Sequence, residues 1–483
     1  MQQFSDAVLG VVQKINSYLT DYILIILLVG IGILFTVTTR FIQIRCFGEG
    51  CRRMFGNFSL KGGKHHGGIS SFQAVATAIA AQVGTGNIVG ACGAILIGGP
   101  GAIFWMWVIA FFGMATIYAE AVLAQKTRKV SEDGSVTGGP VYYIRTAFKG
   151  KFGKFLAGFF SVAAVLALGF FGSMVQSNSI GETFNNAFGI PSWIVGIVIA
   201  AISAFVFIGG LSRLASVTEK IVPIMAGLYL LGGIIILAFR ITSIPETFGL
   251  IFKYAFMPQA IIGGTVGSAI KTAVSQGAKR GLFSNEAGMG STPHAHALAK
   301  VDKPHDQGVV AMIGVFIDTF VVLTMTALLV ITTLYTSGGI LANGAEGVDV
   351  AKTGLAQLAV GTALGGSSVA TTIGNIFIAI CLLFFAYSTI LGWNLFGKIN
   401  FEYLFGKKGA IVYSIIAIGF VFLGSCLSND LVWELTDMFN YLMVLPNAIA
   451  LIALCGLVRQ SAKEGIAANK ETKRLRKEAK KNS

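Results

Sequence analysis

Apolar residues recur along this chain in runs of about twenty, the length that carries an α-helix across a hydrocarbon layer. Such runs lie near residues 22–44, 70–97, 101–125, 155–178, 191–211, 217–239, 269–300, 308–335, 370–396, 409–426 and 430–458. Short segments between them hold most of the charged side chains. The pattern predicts an all-α polytopic membrane protein of about eleven transmembrane helices. The run at 269–300 is too interrupted by polar residues to form one continuous helix.

Setting aside the first helix leaves ten, which divide into two sets of five that start on opposite sides of the membrane. That division predicts an inverted repeat. The expected organisation is an N-terminal transmembrane helix and cytoplasmic loop at 1–69, a first repeat at 70–240, a second at 241–458 and a basic cytoplasmic tail at 459–483. The first helix of each set carries a glycine-rich polar break. One is Gly84-Thr85-Gly86-Asn87; the other runs from Ser284 through Asn285, Glu286, Gly288 and Gly290 to Ser291.

Composition excludes a water-soluble fold, since 54% of the 483 residues are hydrophobic, 12% are charged and mean hydropathy is +0.75. The 61 glycines suit helices that approach closely through small residues. A formal charge of +14 raises the question of nucleic acid, but the basic residues sit between apolar runs and in the tail. With the C-terminus inside, 29 Lys and Arg fall on the inner side, five on the outer side, and Lys279 and Arg280 on neither. Membrane topology therefore explains the charge, with an N-terminus outside, a C-terminus in the cytoplasm and no nucleic-acid partner. The expected location is the inner (plasma) membrane of a prokaryotic cell, and the tail lies along its anionic leaflet. The first apolar run has no signal-peptide flanks and stays as an anchor.

The six cysteines (Cys46, Cys51, Cys92, Cys381, Cys426, Cys455) show no metal-ligand spacing, so neither a disulfide framework nor a transition-metal site is expected. No HExxH, GxSxG or Cys/His cluster marks an intramembrane enzyme. His65, His66, His294, His296 and His305 fall at inner loops or helix ends, as interfacial or vestibular groups. A channel would repeat charges or carbonyl rings along a pore, and that pattern is missing too.

A polar break at mid-membrane leaves backbone groups unpaired unless protein, water or a ligand meets them. The half-helix that starts there aims N–H groups and its positive end at an anion, and the carbonyls before it suit a cation. A substrate with a carboxylate fits both. Close helix packing is the other use for such glycines.

The runs FQAVATAIAAQVGTGNIVGA, GGPGAIFWMWVIAFFGMATIYAEAVLA, KRGLFSNEAGMGS and FFAYSTILGWN closely resemble the alanine or glycine:cation symporter family of prokaryotes. The likeness covers nearly the whole chain. It implies the LeuT-like fold of the amino acid-polyamine-cation superfamily, with broken first and sixth core helices. It also implies sodium-coupled symport of alanine or glycine by alternating access, with proton-coupled symport of a small neutral amino acid as the alternative. Sodium would be the coupling ion, without a further cofactor or an obligate protein partner.

Carried over by the resemblance, the backbone N–H groups of Thr85 and Gly86 and the Thr85 hydroxyl would hold the substrate carboxylate, with Gln82 and Asn87 beside them. Phe283, Ser284 and Asn285 would face the same cavity, where carbonyls or the Asn285 amide receive the ammonium. Gln176 supplies another amide or else an interhelical hydrogen bond. Phe283 and Trp393 would limit substrate size. Sodium would sit between Ser388 and Thr389 and the carbonyls of Ala80, Val83 and Phe385, although an intramembrane Ser-Thr pair also bonds its own backbone.

Ionisable groups at depth carry a functional expectation. Glu120 and Asp318 are expected to pair with loop residues or line the cytoplasmic pathway, and Glu286 to neutralise Lys279 or Arg280. Glu434 and Asp437 match no substrate position. Lys271 is expected at an aqueous vestibule or among headgroups, and Lys220 at the inner interface.

Overall fold

The computed structural model describes residues 2–56, 71–132, 134–257, 266–342, 350–427 and 429–481. His65 and His66 lie outside them. Every expected apolar run falls on a helix or on a broken pair of helices.

The first helix, α1 (Ala7–Thr38), begins well before residue 22. Its early turns pack against a late helix, where the Asn16 amide donates to Glu434 Oε2 at 2.6 Å and to the Glu434 carbonyl at 2.8 Å. It also stops before residue 44, because Arg40 and Phe41 both take a left-handed φ of 56°. A short amphipathic helix follows, α2 (Phe47–Gly56).

The first repeat opens on a broken helix. Its halves α3 (Ser71–Gln82) and α4 (Ala91–Gly98) are joined through a π-turn at Gly86–Gly90 and bend by 41°. Then come α5 (Gly101–Thr127), α6 (Gly150–Phe188), α7 (Ser192–Ile208) and α8 (Gly210–Ala238). Between α5 and α6 lies a small antiparallel hairpin, with Lys129 opposite Thr137. It is too short to alter the all-helical class.

The second repeat opens on the other broken helix, α9 (Val266–Asn285) and α10 (Pro293–Leu298), and continues with α11 (Pro304–Leu334), α12 (Ser368–Phe405), α13 (Gly409–Gly424) and α14 (Asn429–Ala453). Both α10 and α11 start on proline, whose missing N–H costs nothing in a first turn. The chain ends in α15 (Cys455–Lys481). Among the described residues, seven helices are long and apolar enough to cross a membrane, and the bent pair α3–α4 is an eighth. Two shorter apolar helices, α7 and α13, accompany them.

Burial shows which side meets lipid. Helices α7, α8 and α13 turn Phe205, Ile208, Leu231, Ile235, Ile411 and Ile415 outward, Ile208 with 80% of its surface open and Ile411 with 73%. An apolar belt of that kind would aggregate in water and is at home in a bilayer. Inside it, α5 and the two broken helices are enclosed by their neighbours, so polar groups at the breaks must find partners within the protein.

The candidate site between two helix breaks

In the first break Val83 and Gly84 leave the helix. The freed amides are met by side chains: Gly84 N–H donates to Asn87 Oδ1 at 2.9 Å, and Thr85 N–H donates to Gln176 Oε1 at 3.2 Å. Glycine is required here by contact. A Cβ on Gly84 would stand 2.2 Å from Thr389 Oγ1, and one on Gly86 would stand 2.9 Å from Ser284 Cα. The second break begins after Asn285, where Glu286 takes a φ of 58° and Gly288 and Gly290 take 90° and 84°. Gln82 ties the two breaks together by donating to the Asn285 carbonyl at 2.8 Å. The Asn285 side chain accepts from Ala287 N–H at 3.0 Å and so caps the turn.

Aromatic rings close the space above and beside the breaks. Phe283 meets Trp393 edge-on at 5.6 Å between centroids and Trp433 at 4.8 Å. Thr85 Oγ1 and Gln176 Nε2 are buried with no hydrogen-bond partner among the described residues. Gln82, Thr85, Asn87, Gln176, Phe283, Ser284, Asn285 and Trp393 are each at most 4% exposed, so the cluster is shut off from both sides.

The Ser388-Thr389 pair faces the carbonyl end of α3. Ser388 Oγ donates to Phe385 O at 2.8 Å and lies 3.2 Å from Ala80 O; Thr389 Oγ1 lies 3.0 Å from Ala80 O and 3.2 Å from both Ala81 O and Phe385 O. Five neutral oxygens therefore converge where α3 ends. A hydroxyl that donates to a carbonyl can rotate and present its lone pairs, so this donor set suits a hard cation without a fixed charge. Ala81 was not anticipated. Val83 makes no hydrogen bond to the two hydroxyls among the described residues, and its side chain lines an apolar cavity of about 490 Å³ with Met225 and Ile79.

Several ionisable groups sit elsewhere than the sequence suggested. Lys279 and Arg280 are not neutralised by Glu286: Lys279 Nζ lies 3.0 Å from Asp437 and 3.4 Å from Glu434, Arg280 lies 3.2 Å from Asp437, and its guanidinium covers the Trp433 ring at 4.7 Å. Glu286 instead accepts from the Trp393 indole and from Ser291 Oγ. Among the described residues Glu120 and Asp318 pair with no loop side chain, and both are fully buried at the breaks. Glu120 accepts from Gly288 N–H at 3.0 Å and from Asn447 Nδ2 at 2.7 Å. Asp318 accepts from Asn87 Nδ2 at 2.6 Å, Ser284 Oγ at 2.9 Å and Thr319 Oγ1 at 2.8 Å.

The three described histidines are likewise buried. His294 and His296 lie on α10, bonded to Asn400 and Gln307, and His305 bonds Tyr118. Cys46, Glu49 and His305 bring ligand atoms within 4.8 Å of one another, a grouping that chain spacing did not reveal, but Arg53 already holds Glu49 at 2.9 Å. Lys271 is exposed with its ammonium 5.4 Å from the Tyr22 ring; Lys220 is exposed but lies well inside α8, which begins at Gly210, and not at its start.

Short π-turns occur at Gly86–Gly90 beside the first break, at Val165–Gly172 one turn before Gln176 and at Phe316–Leu323 around Asp318, and another at Leu19–Leu24 in α1, which carries no candidate site residue. Such turns interrupt the regular ladder and cluster where helices carry function.

With that geometry in place, comparison with known proteins decides the family. The sodium:alanine symporter family matches residues 5–480. This chain belongs to that family. Among its relatives, the sodium/alanine symporter AgcS of Methanococcus maripaludis is 41% identical over 94% of this chain and 96% of its own length. The putative sodium/proton-dependent alanine carrier YrbD of Bacillus subtilis is 38% identical over 97% and 93%. The probable sodium/glutamine symporter GlnT of the same bacterium is 35% identical over 96% and 91%. Among solved structures, MhsT in complex with L-phenylalanine covers 83% of this chain and all of its own with a TM-score of 0.56 at 17% identity, which identifies the shared LeuT-like fold. As a member of the sodium:alanine symporter family, the chain is a multi-pass membrane transporter and not an enzyme.

Proposed function

We propose that this protein imports alanine, and glycine as the smaller homologue, together with sodium. It does so by alternating access around the two breaks, with eleven spans in the inner membrane of a prokaryotic cell, the N-terminus outside and the C-terminus in the cytoplasm. The observation that carries the reading is the enclosed pair of breaks, Thr85 to Asn87 against Phe283 to Asn285, beside the Ser388-Thr389 oxygen cluster.

The buried, unpartnered Thr85 Oγ1 and Gln176 Nε2 are donors for a substrate carboxylate, which would displace Gln176 Oε1 from Thr85 N–H. Gly86 lets the two breaks close on that carboxylate, and Gln82 and Asn87 hold them in register. Carbonyls of the second break and the Asn285 amide meet the ammonium, and Phe283 and Trp393 leave room for little beyond a methyl group. Sodium binds Ser388, Thr389 and the carbonyls of Ala80 and Phe385, joined by Ala81. Val83 belongs to that set only if its carbonyl turns toward the ion.

The two repeats, 70–240 and 241–458, move relative to one another around this centre. Sodium favours import because it binds one arrangement more tightly than the other. The Asp437 pairs with Lys279 and Arg280 close the outer side, and Glu120 with Asn447 fastens the inner half of the second break. The alternative is proton coupling, which the name of the Bacillus subtilis relative brings in. Uptake of radiolabelled alanine into proteoliposomes under separately imposed sodium and proton gradients tests both. Uptake driven by neither gradient rejects the reading.

A further inference from the structure

Away from the two breaks, three metal-ligating side chains meet where α2 packs on the start of α11. Gly50 N–H donates to the Cys46 carbonyl at 2.9 Å, which puts Cys46 at the cap of α2 and Glu49 within its first turn. His305 is the second residue of α11. One ligand atom from each residue lies within 4.8 Å of the other two, and all three residues are buried. The transport cycle proposed above uses none of them. Close approaches hold the elements that carry them: a Cβ on Gly50 would stand 2.4 Å from the Val309 carbonyl, and one on Gly308 would stand 2.7 Å from the Tyr118 ring of α5.

Tyr118 aims the imidazole. Its Oη lies 2.8 Å from His305 Nδ1, and a ring that donates there from Nδ1 keeps a lone pair on Nε2. Nε2 is buried, and the Glu49 Oε1 it faces stands 3.7 Å away, a loose contact for a hydrogen bond and close to the spacing of two ligands on one ion. A small side-chain shift brings the Cys46 sulfur into the same range. Arg53 does not close the site. Its guanidinium reaches Glu49 Oε1 and Asp306 Oδ1 at 2.9 Å each, so Asp306 cancels its charge and it remains a donor behind the carboxylate. A Cys46 thiolate and the Glu49 carboxylate then balance a divalent ion. A cavity of about 490 Å³ reaches Cys46, Glu49 and Asn469, which gives that ion an entry path and a water for its fourth position. The rim of the cavity is basic, with Arg45, Arg52 and Lys470, so an ion held only by charge gains nothing there. The occupant must bond strongly to sulfur and nitrogen.

We propose that Cys46, Glu49 and His305 form a transition-metal site of the zinc class, with three protein ligands and one open position. A thiolate, an imidazole nitrogen and a carboxylate suit Zn2+, whereas calcium and magnesium take oxygen ligands. Binding deprotonates the Cys46 thiol, and the proton leaves to solvent. The ion fastens α2 to the start of α11 and, because Asn469 donates to the second Glu49 oxygen, steadies the tail helix α15 as well. The site stands apart from the substrate and sodium clusters and does not rest on the reading of either. Cysteine spacing gave no sign of it, because the three ligands come from two distant parts of the chain and no two of them are cysteines.

The test uses the untagged, purified full chain, stripped of metal with a chelator and titrated with zinc against a competing chromophoric chelator. A parallel titration with cobalt reports the thiolate directly, through the charge-transfer band of a cobalt–sulfur bond. The wild type should take up one zinc per chain, show the cobalt band and melt at a higher temperature as zinc is added. Cys46→Ser should lose the band, and both Cys46→Ser and His305→Gln should weaken zinc by about a hundredfold or more. Cys51→Ser, on the same helix, should change neither. Folding is read from monodispersity and from the melt of the metal-free protein; should His305→Gln fail to fold, Cys46→Ser, which exchanges a single atom, carries the test alone. Zinc affinity that is unchanged in folded Cys46→Ser, or lost in Cys51→Ser instead, overturns the proposal. So does a wild type that takes up no zinc.

Discussion

The indole Nε1 of Trp393 donates to the carboxylate of Glu286 at 2.5 Å, across 107 positions of sequence. Glu286 is fixed in turn by its left-handed backbone and by Ser291. The ring that bounds the proposed pocket is therefore held by the unwound segment of the opposite helix. Trp393→Ala should weaken alanine binding through lost packing and admit serine, valine or leucine, because each methylene otherwise gains about 0.8 kcal/mol on burial. Glu286→Gln keeps an acceptor for the indole and should retain the size limit, whereas Glu286→Ala should relax it. Competition binding with a series of amino acids reads the result; a Trp393→Ala protein that still excludes leucine assigns the filter elsewhere.

Replacing Ser388 and Thr389 together by alanine removes two of the five oxygens at the end of α3 and leaves helix propensity intact. Half-activation by sodium should shift upward by about tenfold or more, equivalent to roughly 1.4 kcal/mol. Sodium titration of the purified double variant checks this, and an unchanged curve moves the ion out of this cluster.

Gly86→Ala tests the contact between the breaks. Its methyl group would lie 2.9 Å from backbone at Ser284, which cannot yield as a flexible side chain does. The breaks should be forced apart, with overpacking of about 1–3 kcal/mol and loss of alanine binding. Calorimetry on the folded variant separates lost binding from lost stability.

Asp437 pairs with both cations from α9, while Glu434 reaches Lys279 only. Asp437→Asn should leave Lys279 and Arg280 poorly paired and cost about 3–5 kcal/mol in states that close the outer side. A cysteine placed at Phe283 should then label faster from outside. Equal labelling rates in the two backgrounds would show that the pairs do not hold the outer side shut.

Glu49 in α2 links the tail to the body, since Asn469 of α15 donates to it and Arg53 and His305 lie against it. Burial pushes its carboxyl up, but the His305 and Arg53 hydrogen bonds outweigh burial and hold it at about 2. A depressed carboxyl stabilises above its unfolded value and loses that contribution as pH falls. Docking of α15 should therefore hold at neutral pH and weaken between about pH 4.5 and 2, and Glu49→Ala should weaken it at every pH. Limited proteolysis of the tail measures both.

The apolar runs, the glycine-rich breaks and the Ser388-Thr389 pair could be found from sequence because each is a local property. A helix that crosses hydrocarbon needs about twenty apolar residues in a row, and a break in one needs residues that tolerate exposed backbone. The family resemblance rested on such runs. α1 starts earlier than hydropathy indicates because its early amphipathic turns are stabilised by α14, and ends earlier because Arg40 and Phe41 turn left-handed.

Only the tertiary structure decided the partners of the buried charges. Asn87 reaches Asp318 over 231 positions and Arg280 reaches Asp437 over 157, and nothing in a helical period says which neighbour a given face will meet. Glu286 follows Arg280 closely in the chain, yet the left-handed turn at Glu286 aims its side chain at Trp393 instead. The same holds for His294 and His296, which stand beside a polar loop in the sequence and are buried because α10 packs against α3, α5 and α12. Sequence determined where this chain must be helical and where it must be broken; packing determined which charge answers which, because an ionised group taken out of water accepts whatever partner the fold brings within reach.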